Sequence, residues 1–245
     1  MFMGKKVKKT RARPGGSAKR SVPDRSATAR QGSRAATSGH EAPYHHGALR
    51  DALLEAAERV LEREGLAGLT LRAVAREAGV SHAAPTHHFG DLSGLVSDLA
   101  ATGFRQFNAA MAAAGAPDMP YPGRALARAK AYVGYAQAHP GMYGLMFRTE
   151  RLDYSRPSLC EAAEASFAAL ASAVAASRHE HIEQEALTLE QAAAIARAWS
   201  TVHGFTMLLL DGRLADILKR LPEGTDVEAL LEAMLKLTMG KPVGT

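Results

Sequence analysis

A single cysteine, Cys160, excludes a disulfide framework, and a reducing compartment is the expectation. Tryptophan is as scarce, with Trp199 alone. The longest apolar run, near residues 193–210, is interrupted by Arg197 and His203 and falls short of the ~20 apolar residues that cross a bilayer. No membrane partner is expected, and the expected location is the cytoplasm. No phosphate-binding glycine loop is present, and Cys160 has no catalytic context. The string His179-Glu180-His181 sets its imidazoles at alternate positions, which do not converge on one helix face as metal ligands at i and i+4 do. Catalysis, a metal and a cofactor are therefore not expected.

Acidic residues are nearly missing from the first forty positions. Asp24 stands there against eleven Lys and Arg, which leaves 19 basic and 24 acidic residues in the rest of the chain. A basic tail thus precedes an acidic body. The tail, rich in Ser, Gly and Ala, has too little to bury to offset the entropy of ordering, so residues 1–40 read as a disordered basic arm. An arm that touches DNA phosphates and a mere solvated extension are both open for it.

From Gly47 onward the apolar pattern takes a helical period. Leu49, Leu53, Ala56, Ala57, Val60 and Leu61 share one face of a first helix that Gly65 stops. Thr70 suits the cap of a second helix, with Leu71, Val74, Ala75 and Ala78 inward and Gly79 at its end. Ser81 is placed to cap a third. Two short helices joined by a tight glycine turn after a long one make a tri-helical helix-turn-helix. A fourth helix is expected from Asp91 to about Ala113, then a proline-bearing loop over 115–123. Further helices are expected near 124–138, 141–148, 158–177, 188–210 and 227–239. The fold class is all-α, with residues 41–95 as the helix-turn-helix domain and 96–245 as a larger helical domain.

The stretch LTLRAVAREAGVSHAAPTHHFGDLSGL, from Leu69 to Leu95, closely resembles the DNA-binding domain of the TetR family. Thr70, Val74, Ala75, Ala78, Gly79, Val80, Ser81, His88 and Phe89 match its motif. Ala83 to Pro85, the AHPGMYGLMF segment from Ala138 to Phe147, and Trp199, His203 and Gly204 within WSTVHG resemble a subgroup with a Trp-His-Gly (WHG) C-terminal domain. The chain departs from the family at Thr86, where a tyrosine is usual, and at Leu92, where a basic residue is usual.

The resemblance implies a sequence-specific transcriptional regulator, a ligand-responsive repressor that binds double-stranded DNA as a homodimer on a near-palindromic operator. It also implies that the third helix enters the major groove with its N-terminal part. His82, Ala83, Thr86 and His87 are then the candidates for base or phosphate contact, and Thr70, Arg72 and Ser81 for phosphate. The dimer is expected to form through Ile195, Trp199, Val202, Thr206 and Leu209 on one helix and Val227, Leu230, Leu231, Met234, Leu235 and Thr238 on another. Tyr132, Tyr135, Met142, Tyr143, Met146, Phe147, Phe167, Trp199, His203 and Met207 are the candidate lining of a pocket for a small, mainly apolar effector, with plain core as the competing reading. A helical scaffold of the same fold that has lost specific DNA recognition is the alternative that Thr86 and Leu92 keep in view.

Overall fold

The computed structural model describes residues 45–116, 118–147 and 149–239. The expected arm over 1–40 lies outside them. Among the described residues every regular element is a helix.

Helix α1 (His45–Gly68) buries Leu53, Ala56, Ala57, Val60 and Leu61, the face its period marks out. Gly65 breaks its helical backbone with φ of 69°. Helix α2 (Leu71–Glu77) starts where the Thr70 hydroxyl accepts a hydrogen bond from Ala73 N at 3.1 Å. It ends at Gly79, whose φ of 69° lets Val80 N reach back to Ala75 O at 3.0 Å. Ala75 is fully buried, so the chain makes its tight corner against a methyl group. Helix α3 (Ala83–Phe89) follows with one difference from expectation. His82 holds the cap position in an already helical conformation, and the Ser81 carbonyl, not its hydroxyl, accepts from Ala84 N. A serine cap needs an extended backbone at the residue before the helix, and that residue here is His82.

Helix α4 (Leu92–Ala113) is capped by the Asp91 carboxylate, which accepts from Gly94 N at 2.8 Å. It runs through the principal core, burying Leu95, Val96, Leu99, Phe104 and Phe107. Helix α5 (Tyr121–Ala138) begins inside the expected loop, because Pro122 sits in its first turn, where no N–H bond is lost. Helix α6 (Pro140–Met146) crosses α4 at Gly103, where a Cβ would lie only 2.6 Å from Met142 Sδ. A short 3₁₀ turn (Thr149–Arg151) leads to α7 (Pro157–Arg178), which ends on His179 in the left-handed conformation. Helix α8 (Leu189–Leu210) starts with a reciprocal box between Thr188 and Gln191. Helices α9 (Ala215–Leu218) and α10 (Val227–Met239) complete the described chain, and α9 and the 3₁₀ turn had no sequence signal.

By length and composition α7 is apolar enough to cross a membrane, contrary to the expectation that no second segment approached that test. It packs as a bundle helix, burying Leu159, Ala162, Ala171 and Val174, while Ser166 donates to Asn108 of α4 at 2.7 Å.

The principal core joins α1 to α4 with α6 and the start of α7. A second cluster packs α5, α8 and α10 through Val133, Phe205, Leu231 and Leu235, and a third packs α7 on α8 through Val174 and Ile195. These clusters correct the expected dimer faces. Ile195, Thr206, Leu231 and Leu235 are buried within the chain, and Val202, Leu209, Val227, Leu230 and Met234 pack partly against the second cluster. The Thr238 side chain lies outside the described set. Trp199 alone of the first face is exposed, and the other described residues of both apolar faces have a partner inside the same chain. The sequence period reveals a buried face and is silent on which chain buries it.

Candidate nucleic-acid interface and effector site

Helix α3 is held from beneath by Pro85 and Phe89, both buried. The Arg50 guanidinium of α1 lies over the Phe89 ring, 5.6 Å from its centroid. This seating turns the opposite edge outward. Ser81, His82, Ala83, Thr86 and His87 are all exposed, as are Thr70 and Arg72 at the start of α2. The structure therefore brings the seven residues named as DNA contacts onto the exposed side of the turn and its two helices. His88 is half-buried and rests 6.3 Å, centroid to centroid, from Phe89.

Charge around this edge is scarcer than the five arginines of residues 41–95 suggest. Arg50 is paired with Asp98 at 2.8 Å, and Arg59 and Arg63 both bind Glu77 at 2.9 Å. Arg72 and Arg76 remain exposed with no ion pair among the described residues. Arg76 is thus a second basic group on α2 that the sequence reading did not single out. It stands opposite the buried Val74 on the helix.

Two polar links tie the helix-turn-helix to the larger domain. The Asp98 carboxylate, 2 % exposed, accepts from Arg50 of α1, from Arg156 at 2.8 and 3.3 Å and from Ser158 at 2.7 Å. Burial alone would raise its pKa, but the bonds from Arg156 and Ser158 and the two guanidinium charges hold it below the ordinary carboxylate value. Glu62 of α1 accepts from Gly141 N at 3.0 Å and Met142 N at 2.9 Å, so it caps the start of α6. Sequence reasoning missed both. A carboxylate inside the apolar stripe of α4 was a signal for Asp98, whereas nothing in the sequence distinguishes Glu62 from the other glutamates of α1.

The ten candidate effector residues divide. Tyr132 of α5, Tyr143 of α6 and His203 of α8 converge: His203 Nδ1 lies 2.7 Å from the Tyr143 hydroxyl and 3.0 Å from that of Tyr132, and the hydroxyls are 3.1 Å apart. Burial raises the pKa of both phenols and lowers that of the imidazole, so all three are uncharged near neutral pH. The Phe147 ring stacks 4.7 Å from His203, and Trp199, 46 % exposed, stands 6.0 Å from it at the surface. The other five do not join this group. Tyr135 turns away to donate to Gly103 O at 3.1 Å, and Met142 and Met146 are packed against Gly103. Phe167 belongs to the α7–α8 cluster, and Met207 is on the surface. Aromatic and sulfur side chains serve core and pocket alike, so the sequence did not separate the two groups.

Comparison with known proteins follows the same division into two parts. The family described as "Bacterial regulatory proteins, tetR family" matches residues 53–99, and "Tetracyclin repressor-like, C-terminal domain" matches residues 124–238. No curated protein matches the chain. Among solved structures, a protein of unknown function from Rhodococcus sp. RHA1 is 33% identical, with 81% of this chain and 97% of that one covered and a TM-score of 0.63. A TetR-like transcriptional regulator from Rhodococcus sp. RHA1 is 17% identical, covering 79% of this chain and 97% of its own, at a TM-score of 0.53. The TetR family transcriptional regulator PfmR from Thermus thermophilus is 16% identical, with 76% and 96% covered and a TM-score of 0.52. The last two show the fold alone. With both halves matched and the outward edge of α3 in place, the chain belongs to the TetR family of DNA-binding transcriptional regulators.

Proposed function

We propose that this regulator is a ligand-responsive repressor, acting in the cytoplasm as a homodimer on a near-palindromic DNA site. Residues 41–95 read DNA and residues 96–245 dimerise and sense a small, mainly apolar effector. One observation carries the reading: α3 is anchored by Phe89 and Pro85 so that His82, Ala83, Thr86 and His87 face outward together. Thr70, Ser81, Arg72 and Arg76 then meet phosphates, and the short side chains of Ala83 and Thr86 let the helix lie close to base edges. Trp199, His203 and Gly204 mark the chain as one of the subgroup with a Trp-His-Gly C-terminal domain.

The second copy packs on α7 and α8. Ala165, Ala169, Ser172 and Ala176 of α7 are exposed at helical spacing, as are Ala193, Ala196 and Ser200 of α8. Exposed Met207 and Leu208 extend that face. Small side chains permit close helix approach, and dimerisation sets two recognition helices about 34 Å apart. The effector acts at Tyr132, Tyr143 and His203. A ligand that separates Tyr143 from His203 moves α6, and Glu62 passes that movement to α1.

The test is selection of bound sequences from a random duplex library at physiological salt, with the full chain and with a form lacking residues 1–40. Enrichment of one palindrome by both forms is the expected result. Affinity without enrichment would favour the alternative, a helical scaffold that lost operator recognition, since a basic arm alone binds any DNA.

A further inference from the structure

Helices α4 and α5 run antiparallel with paired stripes: Phe107 and Met111 on α4, with Gly115 just beyond its end, and Tyr132, Arg128 and Arg124 on α5. The Phe107 ring lies 5.0 Å from that of Tyr132, which sets the first rung. At the far end Gly115 is buried, and a Cβ there would stand 2.6 Å from Arg124 Cγ and 3.6 Å from Arg128 Nε. Two arginine side chains therefore lie across a glycine that leaves room for them.

Their partners differ. Arg124 donates to the Met119 carbonyl from Nη2 at 2.8 Å and from Nε at 3.3 Å, closing the link before α5. Arg128 has no hydrogen bond or ion pair among the described residues, and its Nε is buried. Arg128 as a whole is half-buried, but a buried N–H without an acceptor is costly. The stem packs between the helices, but the unbonded Nε gains nothing from the chain itself. A ligand would supply the acceptor.

We infer that Arg128 forms an anion subsite for the effector, and that the effector is a monoanionic carboxylic acid with an apolar body. This rests on the reading of the larger domain as a sensor. The planar fork of a guanidinium matches a carboxylate with two parallel N–H bonds. Arg124 keeps its charge but turns Nε and Nη2 to the Met119 carbonyl, so Arg128 supplies the N–H group left without an acceptor, and a planar carboxylate matches that fork. Arg128 is one helical turn from Tyr132, so an acid held there lays its apolar body along Met111 and Phe107 toward the Tyr132, Tyr143 and His203 group.

Two acid and amide pairs of matched skeleton test this by calorimetry on the full chain: octanoate with octanamide, and 1-naphthoate with 1-naphthamide. At least one acid is expected to bind about tenfold or more tightly than its amide, and Arg128→Met should remove that preference while leaving the amide affinity in place. The unliganded Arg128→Met protein should melt at or above the wild-type Tm, which a purely structural arginine would not allow. Equal binding of acid and amide, or binding of amides alone, overturns the subsite and leaves the sensor reading in place. No binding by any acid, or a lower Tm with the preference retained, also overturns the subsite. Release of operator DNA by an amide is the separate sign that the sensor reading stands.

Discussion

Single side chains in this molecule act chiefly through the charge that burial permits them. Asp98 is ionised in a dry place because Arg50, Arg156 and Ser158 surround it. Its pKa is lowered, so its contribution to stability is present above the ordinary carboxylate value and is lost as pH falls through the lower folded value. Asp98→Asn leaves two guanidinium groups without their counter-charge and is expected to cost about 3 kcal/mol, read as a lower urea midpoint at neutral pH. His203 works in the same direction at a higher pH. Burial lowers its pKa from 6.5, so the folded state favours the neutral ring. Its contribution is present above about pH 6.5 and is lost as pH falls through the lowered value. Wild-type Tm should therefore fall more between about pH 7.5 and pH 5.5 than that of His203→Gln. Parallel curves for the two proteins would contradict a neutral His203 in the Tyr132–Tyr143 group.

At the scale of the elements, caps and turns decide where helices begin, and the anchor of α3 decides what it shows. Thr70→Ala removes the α2 cap and should cost about 1 kcal/mol without altering the fold. Phe89→Ala should cost about 3–5 kcal/mol by opening the space beneath α3. Thr86→Ala with His87→Ala, both exposed, should instead leave urea unfolding unchanged and weaken operator binding. Much of this level was legible in the sequence. Gly79 had to sit where the chain turns through positive φ, and Asp91 and Thr188 announced the starts of α4 and α8. What was illegible depended on partners distant in sequence. Glu62 meets residues 79 and 80 positions away, and the apolar faces of α8 and α10 proved to be buried against their own chain. Ser81 was misjudged because a hydroxyl one residue before the cap cannot be told from a cap without the backbone angles of His82.

For the whole molecule, α4 belongs to both halves, and Glu62 and Asp98 bind the helix-turn-helix to the helices of the larger domain at two separate points. Under the proposed function, this arrangement would couple the spacing of the recognition helices to how α6 and α7 sit. The same scale governs assembly. Met207→Glu with Ala196→Glu places charge on the outward face of α8 and should shift sedimentation from dimer to monomer while helix content is kept. A dimer that persists would place the interface elsewhere. The most direct test of the central claim is fluorescence anisotropy of the full chain on its selected palindrome and on a scrambled duplex, at fixed physiological salt, with stoichiometry read by sedimentation. The account predicts two protomers on the palindrome, at least about a hundredfold preference over the scrambled duplex, and loss of about tenfold or more in affinity for the Thr86→Ala, His87→Ala protein. Equal affinity for both duplexes, unchanged by those substitutions, would contradict it.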